Sequence, residues 1–287
     1  YHPRGWQGAP HFPLGDKVAR RRAGNLTRRD GWLTNLVTGN ELRTDHTDSF
    51  RASLLVEPSD QFRNVTIFDG FKGRSNDGGV TVIAVNPAIN SPVNPLAVRL
   101  AALAAQQADR RRVAQFNDAP SRSSNYGVTN TSTLELGGVT LKNIFNYRWI
   151  RSDDTADAGL PINTLVQRVK VDAEQMSNEF QVSGTTLDER LDYIAGAYFF
   201  WEKATSTTFN SVFGSPFLVS PRDRATNESK SVFAQVDYHL NDKLSVTAGA
   251  RYTIDDRGVY QYAESAPGVV SLNASKAATF KEATWNL

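Results

Sequence analysis

The sequence predicts an all-β protein built as the wall of an antiparallel transmembrane β-barrel. Three observations predict it: alternating strands long enough to cross a membrane, short turns that alternate with long polar connections, and aromatic residues gathered near strand ends. The clearest strand pair runs from Lys230 to Asp255. Val232, Ala234, Val236, Tyr238 and Leu240 are apolar at every second position, with Ser231, Gln235, Asp237 and His239 between them and Phe233 the one exception. After the Asn241-Asp242 turn, Leu244, Val246, Ala248, Ala250, Tyr252 and Ile254 alternate with Lys243, Ser245, Thr247, Arg251, Thr253 and Asp255. A period of two puts each set on its own face of a sheet. A soluble sandwich shares that alternation, so length decides. About twelve residues at roughly 3.3 Å rise, tilted near 40°, cover about 25–30 Å, the height of an outer-membrane apolar band.

The candidate short turns are Phe12 to Asp16, Glu57 to Gln61, Gly137-Gly138, Gly184 to Glu189 and Asn241-Asp242. The long connections between them are 25–47, 73–127, 152–168, 204–228 and 256–278. Tight turns on one side and extended loops on the other are the asymmetry of outer-membrane barrels. About ten strands result, the first, Lys17–Gly24, being the most polar because of Arg20-Arg21-Arg22. Phe145, Tyr147 and Trp149 share one face near the long-loop end of their strand, and Leu191, Tyr193, Ala195, Ala197, Phe199 and Trp201 form another single face. Amphipathic rings at both ends make two interfacial girdles. The longest loop holds one helix, with Asn94 as cap, Pro95 at the first helical position and Leu96 through Phe116 as body. Leu96, Leu100, Leu103 and the alanines give it an apolar face, which serves either as a lid or, more simply, as packing for a long loop.

Composition bounds the rest. The chain has 287 residues, 40% of them hydrophobic, no cysteine and a formal charge of +2; its mean hydropathy is −0.42. No apolar run is long enough for a transmembrane helix, while barrel strands, half polar, escape such averages. The missing cysteine removes disulfide scaffolds, thiol catalysis and cysteine zinc sites, and suits passage through an oxidising periplasm. The charge gives no argument for nucleic acid. The opening Tyr1-His2-Pro3-Arg4 has neither an initiator Met nor an apolar signal core, so either a signal has been removed or, the favoured expectation, the chain begins within a longer reading frame.

The search for chemistry yields little. Gly73-Arg74-Ser75-Asn76-Asp77 fails as a nucleophile elbow at its last position, and no His-Glu-x-x-His motif, phosphate loop or dinucleotide fingerprint occurs. His2, His11, His46 and His239 are scattered. Asp45-His46-Thr47-Asp48 reads as a polar loop before it reads as a metal site, and His239 as a solvated residue on the polar face. Asp153, Asp154 and Asp157, and the pair Asp255 and Asp256, lack the further oxygens a hard cation needs. No catalytic, cofactor or metal residue is assigned. Arg110, Arg111 and Arg112, at the end of the loop helix, are candidates for an anionic ligand or lipopolysaccharide, although a helix C-terminus favours cations anyway. On the polar face Lys142, Asn146, Arg148, Glu179, Gln181, Asp192, Glu202, Asp237 and Arg251 point one way, with Arg148 and Arg251 the further candidates for substrate contact.

With strands and turns in place, the chain resembles the barrel region of a TonB-dependent outer-membrane receptor. Pro13-Leu14-Gly15-Asp16, then Arg29-Asp30-Gly31-Trp32-Leu33-Thr34-Asn35 and Thr38-Gly39, is similar to the family's early hairpin. Ser49 through Asp60 resembles the strand and periplasmic turn that follow. Asn178-Glu179-Phe180-Gln181-Val182-Ser183 with Leu191-Asp192-Tyr193-Ile194-Ala195-Gly196-Ala197-Tyr198-Phe199-Phe200, and then Ser231 to Arg257, complete the order. The resemblance covers residues 13–287 as a partial barrel and leaves 1–12 unassigned. It implies about ten strands of a 22-stranded plugged barrel, without the plug, the TonB box or the C-terminal aromatic strand, hence a wall fragment whose two edges invite aggregation. It further implies TonB-energised import of a scarce bulky nutrient, commonly a ferric siderophore, with the TonB complex acting through the missing plug and with lipid and lipopolysaccharide around the wall. The alternatives are a passive porin-like barrel and a soluble secreted β-protein, either a carbohydrate-active enzyme or an adhesin.

Overall fold

A computed structural model describes residues 3–215 and 218–287. Tyr1 and His2 of the unassigned N-terminal segment, and Pro216 and Phe217 of the expected 204–228 connection, lie outside the described residues. In chain order the elements are β1 (Pro3–Gly8), β2 (His11–Pro13), β3 (Val18–Arg29), β4 (Leu33–Asn35), β5 (Glu41–Leu42), β6 (Asp45–Ser59), β7 (Phe62–Asn76) and α1 (Leu96–Ala108). They continue with β8 (Arg112–Val113), β9 (Pro120–Leu136), β10 (Val139–Asp157), β11 (Leu165–Thr186), β12 (Leu191–Val212), β13 (Leu218–Asn241), β14 (Leu244–Ala266) and β15 (Val269–Asn286).

One sheet runs β1-β3-β6-β7-β9-β10-β11-β12-β13-β14-β15, with β2 also paired to β3. Every ladder in it is antiparallel, each strand pairing its neighbour in sequence once the small loop strands are set aside. This is the expected meander, and the strands from β3 to β15 that make it are those anticipated from alternation. Part of the unassigned segment joins it as β1 and β2 against β3, and Leu14 N–H closes the turn onto the Val18 carbonyl at 2.8 Å.

The strands run further than alternation showed. β13 has 24 residues and β11 and β12 have 22 each, about 70–80 Å of chain at roughly 3.3 Å per residue, far more than a membrane needs. The expected connection 152–168 shrinks to residues 158–164, 256–278 to the Pro267-Gly268 turn, 73–127 to 77–119, and 25–47 to 30–44. Both faces of these extensions are polar, so no period marks them. Backbone ladders and cross-strand pairs hold them instead: Arg168 with Asp153 at 2.6 and 2.5 Å, Gln261 with Asp223 at 3.0 Å, and Gln167 with Asn210 at 3.1 Å.

Register sets the faces. Val232 faces Ala197 and Tyr252, and Tyr238 faces Leu191 and Val246, so the apolar positions form continuous rows. Phe233, the exception, lies on the polar face opposite Gly196, where a Cβ would meet its ring at 2.6 Å. The ring covers the gap a glycine leaves in the strand. On β7, β9, β10 and β11 the apolar face carries Asn64, Thr66, Asn130, Ser132, Asn143 and Asn178, flanked by Leu134, Leu141, Phe68 and Val128. These groups satisfy one another: Asn64 donates to Ser132 at 2.7 Å and Asn130 at 3.2 Å, Asn130 donates to Thr66 at 2.7 Å, and Asn143 to Asn178 at 2.8 Å. Mutual hydrogen bonding is what makes amides tolerable on an apolar surface.

The helix ends eight residues before the expected Phe116, and Arg110, Arg111 and Arg112 lie beyond it. Asp109 is extended (φ −151°, ψ 112°), and its carboxylate accepts from Arg111 N–H at 2.9 Å, which competes with continued helix. Pro95, not Asn94, is the cap, and Leu96 N–H donates to Asn90 at 3.0 Å. The buried face is Arg99, Ala102 and Gln106 rather than the leucines. Gln106 accepts from Val82 N–H at 2.7 Å and Arg99 donates to the Asn86 carbonyl at 3.2 Å, because loop backbone outside any ladder needs side-chain partners.

The lateral hydrogen bonds on the apolar face are testable. Asn130→Val strands Asn64 and Thr66 and lowers unfolding stability by about 1–3 kcal/mol, whereas Val at 64, 66, 130 and 132 together is neutral or stabilising. Urea titration in lipid vesicles, followed by tryptophan fluorescence, distinguishes the two; equal losses would contradict the account.

Candidate ligand-binding surfaces

The polar face is ordered by two rows. Arg148, Gln175, Glu202 and Asn227 are direct partners across four strands, as are Lys142, Gln181, Gly196, Phe233 and Arg251 across five. Arg148 crosses over Gly127, where a Cβ would come within 2.7 Å of the guanidinium, and reaches Asp69 at 3.0 and 3.1 Å and Asn125 at 2.7 Å. Both ends of this pair are mostly shielded, with side chains 25% and 21% exposed. Its forked donor geometry is one that Lys cannot reproduce. Arg148, Asp69, Asn125, Arg21, Arg51 and Phe71 line a cleft of about 400 Å³. Arg251 is elsewhere on the face, its guanidinium 5.8 Å from the ring centres of both Tyr198 and Phe233. His239 and Asp192 meet at 2.9 Å beside the short turns.

The outer loops form a separate cap. β5, β4 and β8 make a three-stranded sheet, β4 pairing β8 in parallel. Leu33, Leu42 and Val113 form its small apolar core, with Asn35 and Gln115 fully buried beside them. Gln115 accepts from Gly79 N–H at 2.8 Å, and Asn35 accepts from Gln115 N–H at 3.3 Å. Asp118 ties the 77–119 connection to the end of β4 and the turn after it by accepting from Asn35 at 3.0 Å, Asn40 at 2.6 Å and Thr38 at 2.5 Å. Burial opposes its ionisation, yet those hydrogen bonds outweigh burial and hold the carboxyl below its ordinary 3.8. Burial raises Asp157 above that value, against N–H donors from Gly159 and Asn117.

On this cap Trp32, Thr34, Glu41, Asp109, Arg111 and Arg112 line a cleft of about 670 Å³. Trp32 is half exposed. Arg112 is tied to Asp109 at 3.3 Å and Glu41 accepts from Gly31 N–H at 3.2 Å, while Arg111 has no carboxylate partner among the described residues. The cleft thus offers one flat ring and one uncommitted guanidinium. Of the five candidate arginines, Arg111 and Arg112 share this cleft; Arg110 is exposed beside them, and Arg148 and Arg251 lie on the wall. Sequence reasoning missed Trp32 and Asp69. The carboxylate at the polar-face position in Phe68-Asp69-Gly70 was its visible signal. Asp45 and Asp48 are engaged by Arg29 at 3.8 Å and Arg28 at 2.6 Å, and no group of three or more metal-ligating side chains gathers among the described residues.

A family model described as TonB dependent receptor-like, beta-barrel, matches residues 49–287. Among solved structures the chain is similar to the ferric yersiniabactin uptake receptor FyuA from Yersinia pestis, with a TM-score of 0.71 and 14% identity over 99% of this chain and 43% of that one. It is similar to the ferric citrate transporter FecA in its unliganded form, with a TM-score of 0.70 and 10% identity over 98% and 38%. For the siderophore receptor PiuA from Acinetobacter baumannii the values are 0.67 and 11%, over 99% and 45%. At these identities the likeness is one of fold, and the chain spans less than half the length of each. No curated protein matches the chain.

Asp118 gives the cap a pH dependence of known sign. A carboxyl depressed in the folded state adds stability above its unfolded value, and that stability is lost as pH falls through the folded value. Amide exchange across residues 35–40 therefore accelerates on acidification below pH 3.8, and Asp118→Asn accelerates it already at neutral pH. Exchange that is insensitive to both changes would remove Asp118 from the account.

Proposed function

The chain belongs to the TonB-dependent receptor β-barrel family of outer-membrane proteins, and from that premise we propose that it forms the wall and outer cap of an active importer of ferric siderophores. The observation that carries this reading is the pairing of a two-faced membrane-length wall with a folded outer cap that offers Trp32 and Arg111 in one cleft. Ferric siderophores are bulky and often anionic, and an aromatic plane beside a free guanidinium suits stacking together with charge pairing. The three similar structures named above, two siderophore receptors and one ferric citrate transporter, agree in the kind of cargo. Energy from TonB, transmitted through a plug seated against polar-face residues such as Arg148 and Asp69, completes the reading. It assigns transport and no catalytic step. Residues 13–287 act in it as part of the barrel, and the segment before them as a further strand on β3.

Expressed at full coding length in a strain lacking its own siderophore receptors, the protein restores iron-limited growth on a ferric siderophore only when TonB is functional. Trp32→Ala with Arg111→Ala weakens siderophore binding about tenfold, or about 1.4 kcal/mol. Uptake indifferent to TonB would make the wall a passive channel; recovery as a soluble monomer would overturn membrane placement altogether.

A further inference from the structure

The apolar face holds two sets of amides that differ in one respect. Asn64, Thr66, Asn130 and Ser132 form a closed set. Asn64 donates to Asn130 and Ser132, and Asn130 donates to Asn64 at 3.1 Å and to Thr66. Thr66 and Ser132 in turn donate to the Asn64 and Asn130 carbonyl oxygens at 3.1 Å each. Both amide oxygens and both NH2 groups are used, so this set needs nothing from outside. Asn143 and Asn178 form an open one. Asn143 Nδ2 donates to Asn178 Oδ1 at 2.8 Å and to the Glu179 carbonyl at 3.4 Å, while Asn143 Oδ1 and Asn178 Nδ2 have no partner among the described residues. Asn178 is exposed, between Phe145 on β10 and Phe199 on β12, and Asn143 is opposite Phe180. Asn143 stands four residues from Val139 and Asn178 eight from Thr186. Both are therefore about 10–20 Å above the short turns along the barrel axis, inside the apolar band. Hydrocarbon offers an amide no hydrogen bond, so an open donor and acceptor at that depth are costly unless protein covers them.

We propose that this open amide pair is the centre of a two-fold interface with a second copy of this chain, Asn178 Nδ2 of each copy donating to Asn143 Oδ1 of the other. The leftover groups select the occupant. Copies inserted the same way into a membrane are related by a two-fold axis along its normal, and an axis between β10 and β11 sets β10 of one copy against β11 of its partner. One acceptor beside one donor is then its own complement, and the rotation makes both bonds at once. Charge calls for no other partner. Between Val139 and Tyr147 on β10, and between Met176 and Gly184 on β11, every residue on this face is uncharged. Ala195 and Ala197, beside them on β12, are exposed and small, so two walls approach closely enough for side-chain amides to meet. The exposed ring of Phe180 adds apolar contact. The inference goes beyond the transport reading and rests only on this face meeting lipid.

The test uses the protein at full coding length in lipid vesicles, labelled through Asp242→Cys at a short turn, with donor and acceptor dyes on separate copies. Energy transfer over a series of protein-to-lipid ratios gives the association constant of the dimer. Asn143→Val with Asn178→Val lowers it at least about tenfold, whereas Val at 64, 66, 130 and 132 together leaves it within about threefold. On oxidation, copies carrying Asn143→Cys cross-link with copies carrying Asn178→Cys more than either does alone. Transfer no greater than chance proximity in the unsubstituted pair of amides would overturn the interface. An unchanged constant for the Val pair, with normal heat-dependent gel migration, would overturn the amides as its centre. Cross-linking in intact cells to a different outer-membrane protein, in place of a second copy, would overturn the choice of occupant. Neither siderophore nor TonB enters these measurements, so their failure is separate from failure of the transport reading.

Discussion

An antiparallel ladder, broken only by register shifts near strand ends, carries this structure, because a strand in lipid has no partner for its N–H and C=O groups except the next strand. From β3 to β15, the loop strands apart, each strand finds that partner in its sequence neighbour, joined by tight turns on one side and, except at the Pro267-Gly268 turn, by longer connections on the other. The requirement is local, so a plain meander meets it without crossovers. It also explains why, among the described residues, the wall holds no cluster of buried apolar side chains. The small apolar core of Leu33, Leu42 and Val113 lies in the loop cap, where the chain leaves the ladder and needs packing and side-chain hydrogen bonds instead.

With the backbone settled, each face has its own chemistry. The apolar face ranks its residues by height, from Leu191 and Tyr193 near the turns, through alanines, to Phe199 and Trp201. Where Asn64, Asn130 and their neighbours interrupt it, they pair among themselves. The polar face uses glycine as a channel for longer side chains: Arg148 passes over Gly127 to Asp69, and Phe233 covers Gly196. The cap adds a third region, in which Asp118, Asn35 and Gln115 fasten loops that share only the short β4–β8 ladder. Three surfaces of different chemistry are thus held in place around one wall.

Much of this was legible in the sequence. A period of two located the strands, and Gly137-Gly138 and Asn241-Asp242 located their turns. Alternation fell silent where both faces meet water, so the outer halves of β10 to β14 looked like loops although Asp153, Arg168, Asp223 and Gln261 stitch them into strands. Helix α1 read as an amphipathic leucine face because composition does not show which side meets the loop; Arg99 and Gln106 turned inward to satisfy loop carbonyl and N–H groups. Arg110-Arg111-Arg112 resembled a helix end until Asp109 broke the helix first. Arg148 was placed on the correct face from parity alone, yet its partner Asp69 is 79 residues away in sequence, a separation that no local pattern reports.

The central claim is that one face of the wall meets lipid and the other does not. The chain has no cysteine, so single cysteines placed in turn from Ser231 to Leu240 can each carry one spin label. Measured in outer-membrane vesicles, oxygen accessibility should peak at 232, 234, 236 and 238, and accessibility to a water-soluble nickel complex should be lowest there, both with a period of two. Uniformly high access to the aqueous probe at all ten positions would contradict the account, because it would place both faces of this strand in water.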